Sequence, residues 1–269
     1  MTDGTVLYGP ADGEPPTRRH GPVGRVAALA DVHGNVPALE AVLAEPDVAS
    51  AELVVFCGDL TWGPEPRRTY ELIAALGERA LCVRGNADRY ARELAAGRYP
   101  PTTARESWIP AQHSPEAVAF LDRLPFSLVV EIETLGPVLF CHGSPRSDHE
   151  LVTPGTPPAR FEDLAARTEA RVLVTGHTHL QFDRAVAGRR SVGPGSVGLP
   201  FHEGRPGTAY WALLGPDVQL RATRYDLAEA VTRTRTSGDP AAERIVSLLT
   251  GPPTPAEIVI DAETRVFSD

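Results

Sequence analysis

Five runs of apolar, mostly β-branched residues punctuate the first two thirds of the chain. Uninterrupted runs of this kind, unlike alternating ones, are typical of strands that are buried on both faces. The predicted strands span 25–30, 53–57, 80–83, 138–141 and 172–175. Helical spacing of apolar residues follows the first three runs. The first half of the chain therefore predicts a βαβαβ unit with a parallel sheet and right-handed crossovers.

The helices of this unit have recognisable start signals. Asn35 is a suitable N-cap for the first helix, because its side chain can accept a main-chain N–H. Further helices are predicted at 67–76, 88–96, 226–235 and 240–249. The last two form a C-terminal extension, 226–269, that packs on the same chain or at a homodimer interface.

Two segments depart from the alternation of strand and helix. Residues 97–125 are rich in proline, and Ser114-Pro115 predicts a helix start within them. This segment is either a short helical cap over a site or a packing excursion. Residues 1–24 are rich in glycine, proline and charge, which predicts a flexible leader.

The remaining strands are predicted as hairpins, which indicates an antiparallel sheet in the second half. They span 128–132, 182–186, 191–192, 208–214 and 218–223. The resulting organisation is a leader, a main domain over 25–225 and the helical extension.

A short polar motif follows each of the five buried runs. The motifs are Asp31-Val32-His33, Gly58-Asp59, Gly85-Asn86, Cys141-His142-Gly143 and Gly176-His177-Thr178-His179. Ligands of open α/β sheets bind outside the carboxyl ends of the strands, so we expect these side chains to converge. Asp31 and His33 are two residues apart, and a continued strand would place them on one face.

Carboxylates, imidazoles and an amide oxygen at one sheet edge suit a pair of divalent metal ions. Two ions about 3.5–4 Å apart can acidify a water molecule and neutralise a phosphoryl group. The two oxygens of Asp59 could serve both ions. Each motif alone occurs by chance, but their joint occurrence predicts a two-metal phosphoesterase site.

Composition narrows the partners of such a site. The net charge is −9 and all 26 basic residues are arginines, which argues against a nucleic-acid polymer as partner. Cys57, Cys82 and Cys141 lie in predicted strands as buried thiols or rival metal ligands, and their odd number favours a reducing cytoplasm. No apolar run reaches the ~20 residues of a membrane span, so no membrane partner is expected.

With these motifs in this order, the chain resembles the calcineurin-like metallophosphoesterase superfamily, and most closely its small bacterial phosphodiesterase-like branch. The family blocks D-x-H, G-D, G-N-[H/C]-[D/E], G-H and G-H-x-H match over roughly residues 25–225. The resemblance implies an α/β fold, a four-layer α/β/β/α sandwich. Its family metals include manganese, iron, zinc, nickel and cobalt, among which these ligands do not choose.

The resemblance also assigns ligands to two metal ions. It implies that the first ion is held by Asp31, His33, Asp59 and His179. The second would be held by Asp59, Asn86, His142 and His177. Many family members carry a histidine after the asparagine, where this chain has Ala87. Loss of such a general acid costs about 10²–10⁴-fold in rate, mainly on poor leaving groups.

Because Ala87 cannot donate a proton, the reaction requires either substrates with good leaving groups or a substitute acid. Candidates for that acid are Asp88, His149, His202 and His113. Arg146 and Arg84 are candidate phosphate contacts, because guanidinium binds phosphate in a bidentate manner. We therefore expect Asp59, Asp88 and Arg146 to be the catalytic residues. Trp62 would stack on a base or wall the cleft, and Ser196 would support the site from its turn.

The predicted function is hydrolysis of a small phosphate ester by a metal-bridging hydroxide that attacks phosphorus in line. Ala87 favours a phosphodiester or nucleotide-like phosphoanhydride. The alternatives are a phosphomonoesterase, a Ser/Thr protein phosphatase, and a non-catalytic metal-binding scaffold or regulator.

Overall fold

The computed structural model describes residues 8–10 and 17–268 as two β-sheets that pack face to face between helices. The strands are β1 Arg18–Val23, β2 Val26–Leu29, β3 Leu53–Phe56, β4 Ala80–Cys82, β5 Ser127–Ile132, β6 Gly136–Cys141, β7 Val172–Thr175, β8 Gln181–Val186, β9 Arg189–Pro194, β10 Thr208–Leu214 and β11 Val218–Arg224. The helices are α1 Val36–Leu43, α2 Pro46–Ala49, α3 Pro66–Ala75, α4 Asn86–Ala95, α5 Ala104–Ala111, α6 Pro115–Asp122, α7 Pro158–Ala165, α8 Leu227–Thr236, α9 Ala242–Thr250 and α10 Pro255–Arg265.

The first sheet has the order β11-β10-β2-β3-β4 and contains the predicted parallel unit. Its central strand β2 is buried on both faces. Val26 and Ala28 point into the core between the sheets, whereas Ala27 and Leu29 pack on the helical side with Leu39 of α1. This arrangement explains why the strand has no polar alternation, and the prediction of doubly buried strands is confirmed.

The second sheet has the order β1-β5-β6-β7-β9-β8 and is mixed, so the expectation of an antiparallel second sheet is wrong. β6, β7 and β9 are parallel neighbours, because the segment that contains α7 carries the chain back across the sheet. Phe161 and Leu164 of α7 cover its outer face. The predicted hairpin β10–β11 exists, but β10 pairs with β2 and extends the first sheet. The layers are α/β/β/α, as the resemblance implied.

The segment 97–125 forms α5 and α6. Ser114 caps α6 as predicted, since its hydroxyl accepts the main-chain N–H of Ala117 at 3.2 Å. Ile109 and Leu121 are buried in the same core as α1, so the segment packs into the domain. It also reaches the loop after β3, where His113 Nε2 lies 2.8 Å from Thr61 Oγ1.

The two ends of the domain differ from expectation. Residues 18–23, assigned to a flexible leader, form β1 in parallel with β5, while 1–7 and 11–16 lie outside the described residues. At the other end α8 and α9 occur near their predicted positions, and α8 packs on α1. The third helix, α10, was not predicted. A homodimer and a cytoplasmic location stay predictions. Across 8–10 and 17–268, no helix has the length and apolar character to span a membrane.

Candidate metal centre

The loops that follow the five buried strands converge on two adjacent groups of side chains. The first group consists of Asp31, His33 and His179, and the second of Asp59, His142 and His177. Within each group the potential ligand atoms all lie within 4.8 Å of one another. The pair His177 and His179 is therefore divided between the groups, as the resemblance implied.

Asp59 lies between the two groups. Its Oδ2 is 3.6 Å from His33 Nε2 of the first group, and its Oδ1 is 3.3 Å from His142 Nε2 of the second. Asn86 belongs with the second group, because its Oδ1 is 2.9 Å from His142 Nε2. All seven residues predicted as ligands are thus brought together.

The ligands sit in turns beyond the strand ends, and the expectation of shared strand faces is wrong. Asp31 and His33 have φ values of 54° and 47°, and His177 and His179 of 70° and 59°. These values lie in the left-handed region, which non-glycine residues rarely adopt. Each loop folds back at its ligands, so that Asp31 and His33 enter one group whereas His177 and His179 are divided between the two.

Two glycines allow the ligand loops to approach each other. A Cβ atom on Gly85 would lie 2.1 Å from Asp59 Oδ1, and one on Gly58 would lie 2.7 Å from His142 Nδ1. Gly58 also has a φ of 83°. Side chains at these positions would displace Asp59 and His142, which accounts for the glycine that precedes Asp59 in the sequence.

Hydrogen bonds from the far side of three imidazole rings fix their tautomers. His33 Nδ1 lies 3.1 Å from the Trp62 carbonyl oxygen, His142 Nδ1 2.7 Å from that of Cys57, and His179 Nδ1 2.6 Å from that of Leu199. Because a carbonyl oxygen only accepts, each Nδ1 carries the proton. Each neutral ring then turns the lone pair of its Nε2 into the site.

These lone pairs face one another at short range. His33 Nε2 is 3.1 Å from His179 Nε2, and His142 Nε2 is 3.1 Å from His177 Nδ1. Two acceptors at this distance repel unless a cation lies between them. The donor set of imidazoles, carboxylates and an amide oxygen therefore fits a divalent transition-metal ion in each group.

The electrostatics of the buried site lead to the same conclusion. Burial raises the pKa of Asp59 to about 7, and burial together with the charge of Asp59 raises the pKa of Asp31. Burial lowers the pKa of His33 and His177 well below the usual range, and the charge of neighbouring imidazoles lowers it further. Bound cations would lower the raised pKa values of these carboxyls, and they would bind the imidazoles in the neutral form that burial already favours.

Asp88, the first candidate for a substitute acid, is occupied as an acceptor. It is buried, and its carboxylate accepts the main-chain N–H groups of Asp59, Leu60 and Gly85 at 2.9–3.0 Å. Three N–H donors on one carboxylate favour its ionised form, although burial and the charge of Asp59 raise its pKa to about 6. This geometry fits a residue that ties the loop after β3 to α4, and a role as proton donor stays a prediction.

Arg146 is held away from the role of a phosphate contact. Its Nε and one terminal nitrogen donate to Glu150 at 2.9 and 2.7 Å, and its other terminal nitrogen donates to Asp163. All of its guanidinium nitrogens thus donate to carboxylates of the protein. Arg84 donates to the carbonyl oxygen of Gly9 at 3.2 Å and lies near Asp148.

The other candidate acids are also engaged by protein groups. His113 contacts the Ile109 carbonyl oxygen and Thr61, and His149 Nδ1 lies 2.8 Å from Ser147 Oγ. The ring of His202 packs beside that of Tyr210, with centroids 5.2 Å apart. Ala87 is buried and donates its N–H to Asp59 Oδ1 at 2.9 Å.

Two supporting residues occupy the predicted places. Ser196 is buried and its hydroxyl donates to the Asp31 carbonyl oxygen at 2.7 Å, so it does brace the loop after β2. Trp62 contributes its carbonyl to His33, and its ring is bracketed by Arg105 and Tyr90, 5.8 and 6.4 Å from its centroid. Its ring is thus packed between two protein side chains, and the choice between stacking on a base and lining the cleft stays a prediction.

The cysteines lie behind the site as buried thiols, and none of the three forms a disulfide. Burial raises the pKa of each thiol, which keeps the thiols neutral. The contribution of Cys57 is its main-chain carbonyl, which orients His142. The three cysteines thus resemble small buried apolar side chains in being neutral and buried.

Sequence reasoning missed three side chains close to the centre. Arg89, one turn after Asn86 in α4, is buried in a bidentate pair with Asp148 at 2.7 and 2.9 Å. Its charge acts on Asp59 and His142. Ser268 contacts His177 from 91 positions along the chain. A sequence signal that could have pointed to Arg89 is its position in the predicted helix, four residues after Gly85.

Paired groups of aspartate and histidine at the carboxyl edge of an α/β/β/α sandwich define a metal-dependent hydrolase. Residues 25–214 match the calcineurin-like phosphoesterase superfamily domain. This match covers well over half of the chain, which therefore belongs to that superfamily, a metal-dependent family of enzymes that hydrolyse phosphoester bonds.

The chain is also similar to individual proteins. A metallophosphoesterase structure from Sphaerobacter thermophilus is 26% identical with a TM-score of 0.66, over 84% of this chain and 98% of that one. A hypothetical protein from Pyrococcus horikoshii is 23% identical with a TM-score of 0.65, over 86% and 99% of the two chains. An uncharacterized protein from Methanocaldococcus jannaschii is 26% identical over 226 residues, which are 76% of this chain and 89% of that protein.

Proposed function

We propose that this chain hydrolyses a small phosphodiester or nucleotide-like phosphoanhydride at a centre of two divalent metal ions. The observation that carries the proposal is the position of Asp59, whose two oxygens face the two groups separately. The first ion would be held by Asp31, His33, Asp59 and His179. The second would be held by Asp59, Asn86, His142 and His177.

The bound ions would supply positive charge to the phosphoryl oxygens and lower the pKa of a water molecule. The protein holds its ligands in position before the ions arrive. Asp88 fixes the main chain on either side of Asp59, and main-chain carbonyls hold three of the imidazoles in the tautomer that presents Nε2. Arg89 replaces Arg146 as the arginine whose charge acts on the site.

The preference for a diester or anhydride follows from the side chain at position 87. Ala87 offers no proton to a departing oxygen, and Asp88 and His113 are committed to protein groups. An alcohol of high pKa leaves slowly without a proton, whereas an acidic phenol or a phosphate does not need one. Substrates with such leaving groups are therefore favoured.

The proposal is tested by release of p-nitrophenol from bis(p-nitrophenyl) phosphate and from p-nitrophenyl phosphate, side by side, with manganese and with chelator. We expect manganese-dependent turnover that favours the diester. Asp59→Asn should reduce it to background, because one shared carboxylate oxygen is lost, whereas the control Asp122→Asn on the exposed surface should not.

The outcomes separate the alternatives. Faster turnover of the monoester would contradict the diester preference and favour a phosphomonoesterase. Bound metal without turnover of either ester would contradict hydrolysis and favour a scaffold or regulator. Full activity of Asp59→Asn would contradict a shared ligand at that position.

A further inference from the structure

His177 is held differently from the other three imidazoles of the centre. Those three rings donate Nδ1 to main-chain carbonyls and turn Nε2 inward. In His177 the ring is reversed: Nδ1 faces His142 of the second group, and Nε2 points away from it. Nε2 lies 3.0 Å from the hydroxyl oxygen of Ser268. A side chain from a distant segment thus lies beside this nitrogen, in addition to the His149 main chain, whose hydrogen bond raises the pKa of His177.

Ser268 is itself fixed by hydrogen bonds to the loop that follows His142. Its main-chain N–H donates to the His149 carbonyl oxygen at 2.9 Å, and its hydroxyl lies 3.3 Å from the same oxygen. When the hydroxyl proton points to that carbonyl, the oxygen lone pairs are left to accept the Nε2–H of His177. In this arrangement Ser268 can accept a hydrogen bond only from the tautomer of His177 that carries its proton on Nε2.

The segment that carries Ser268 is anchored before it reaches the site. Leu151 donates its N–H to the Val266 carbonyl oxygen at 2.8 Å, and the ring of Phe267 packs against His149 with centroids 5.2 Å apart. Upstream in α10, Glu263 accepts hydrogen bonds from Thr153 at 2.8 Å and Arg160 at 2.9 Å. These contacts place the hydroxyl without any contribution from His177.

We propose that Ser268 is a positioning residue that holds His177 in the tautomer with its Nδ1 lone pair directed at the second group. This inference rests on the proposed two-metal centre. Partners behind a metal-bound imidazole typically change metal affinity by about 10–100-fold when they are removed. The effect should be confined to the second ion, because the first group does not contain His177.

The test is a calorimetric titration of the metal-free full chain with Mn²⁺, which resolves successive equivalents. For Ser268→Ala we expect the Mn²⁺ ion in the second group to lose about 10–100-fold in affinity. The affinity of the ion in the first group should be unchanged. Ser268→Thr keeps a hydroxyl and should restore the affinity. Thr264→Ala removes a hydroxyl that serves only α10, and it should bind like the unchanged chain.

Electron paramagnetic resonance gives a readout that does not depend on affinity alone. With limiting manganese, the exchange-coupled signal of paired ions should be replaced by the signal of isolated ions in Ser268→Ala but not in Ser268→Thr. Two equivalents bound by Ser268→Ala with unchanged affinity, or equal losses in the alanine and threonine variants, would overturn the positioning role. Failure of the unchanged chain to bind a second equivalent would instead overturn the two-metal centre itself.

Discussion

The ligand residues themselves carry the backbone strain of this site. Asp31, His33, Asp59, His177 and His179 all have positive φ, at a cost of about 1–3 kcal/mol each. Hydrogen bonds between the loops compensate for this strain: Asp31 N–H donates to the Gly58 carbonyl oxygen at 3.1 Å, and Gly176 N–H to that of His142 at 2.8 Å. These hydrogen bonds thus hold the strained ligand loops against one another.

Metal affinity should depend on the proton that Asp59 carries. Burial raises its pKa to about 7, so in the metal-free protein this carboxyl is increasingly protonated as the pH falls through that value. The imidazoles do not compete until lower pH, since burial lowers the pKa of His179 to about 4. Manganese must displace the Asp59 proton, and its apparent affinity should fall about tenfold per pH unit below neutrality.

Calorimetry in two buffers of different ionisation enthalpy measures this proton release directly. We expect protons to be released at about pH 6 and fewer at about pH 8, because burial raises the pKa of both Asp59 and Asp31 and these carboxyls must be ionised to bind metal. An affinity that is constant over this range, with no proton released, would show that Asp59 is already ionised in the metal-free protein.

A histidine at position 87 should extend the range of leaving groups. Ala87→His supplies the acid that related family members carry there, and general acids contribute about 10²–10⁴-fold. Turnover of alkyl esters, which leave poorly, should rise within that range, while p-nitrophenyl esters should change little. Ala87→Asn, of similar size without an acidic proton, is the control. Equal gains in both variants, or none in either, would contradict the account of this position.

At the scale of elements, α5 is tied to the C-terminal helices by one buried ion pair. Arg105 donates to both oxygens of Asp239 at 2.9–3.2 Å, and the carboxylate is fully buried. Arg105→Ala should lower the free energy of unfolding by about 1–3 kcal/mol, because it leaves Asp239 without its partner. Urea denaturation of the single variants at Arg105 and at Asp239, and of the double variant, measures the coupling between these two side chains.

The exposed pair of Arg235 and Glu243 is the matched control, and Arg235→Ala should leave the free energy of unfolding nearly unchanged. The KM for the diester should rise in Arg105→Ala, since this arginine also packs over the ring of Trp62 beside the site. Strictly additive losses in the double variant would show that Arg105 and Asp239 do not act as a pair.

The elements that sequence predicts well here are those with a local signal. β2, β3 and β7 are short apolar runs buried on both faces, and their predicted bounds differ from the structure by one residue or less. β1 has no local signal, because Arg18–Val23 is polar and pairs at the sheet edge with β5, more than a hundred positions away. By contrast, Thr254 and Glu257 form a capping box, which is a sequence signal for the start of α10.

The residues of the site also divide into those with a local sequence signal and those without one. The seven ligands were predictable because each lies directly after a strand, and parallel strands end at one edge. The roles of Asp88 and Arg146 were not, since they depend on which main-chain N–H groups and carboxylates lie beside them in space. No sequence pattern connects Ser268 with His177.

At the scale of the whole molecule, distant parts of the chain meet on the loop after β6. The ring of His149 lies between those of Tyr8 and Phe267, with centroid distances of 5.1 and 5.2 Å. The ring of Tyr8 also covers the guanidinium of Arg89 at 3.8 Å. Residues from both ends of the described chain thus pack against the loop after β6 and Arg89, while the loops after the strands and the start of α4 supply the ligands.

The central claim is that two metal ions act together on a phosphoester. It is tested most directly by measuring hydrolysis of bis(p-nitrophenyl) phosphate by the metal-free chain as manganese is added in known equivalents. The account predicts no turnover with chelator, little with one equivalent, and a rise that saturates at two. Full turnover at a single equivalent, or any turnover that persists in chelator, would contradict it.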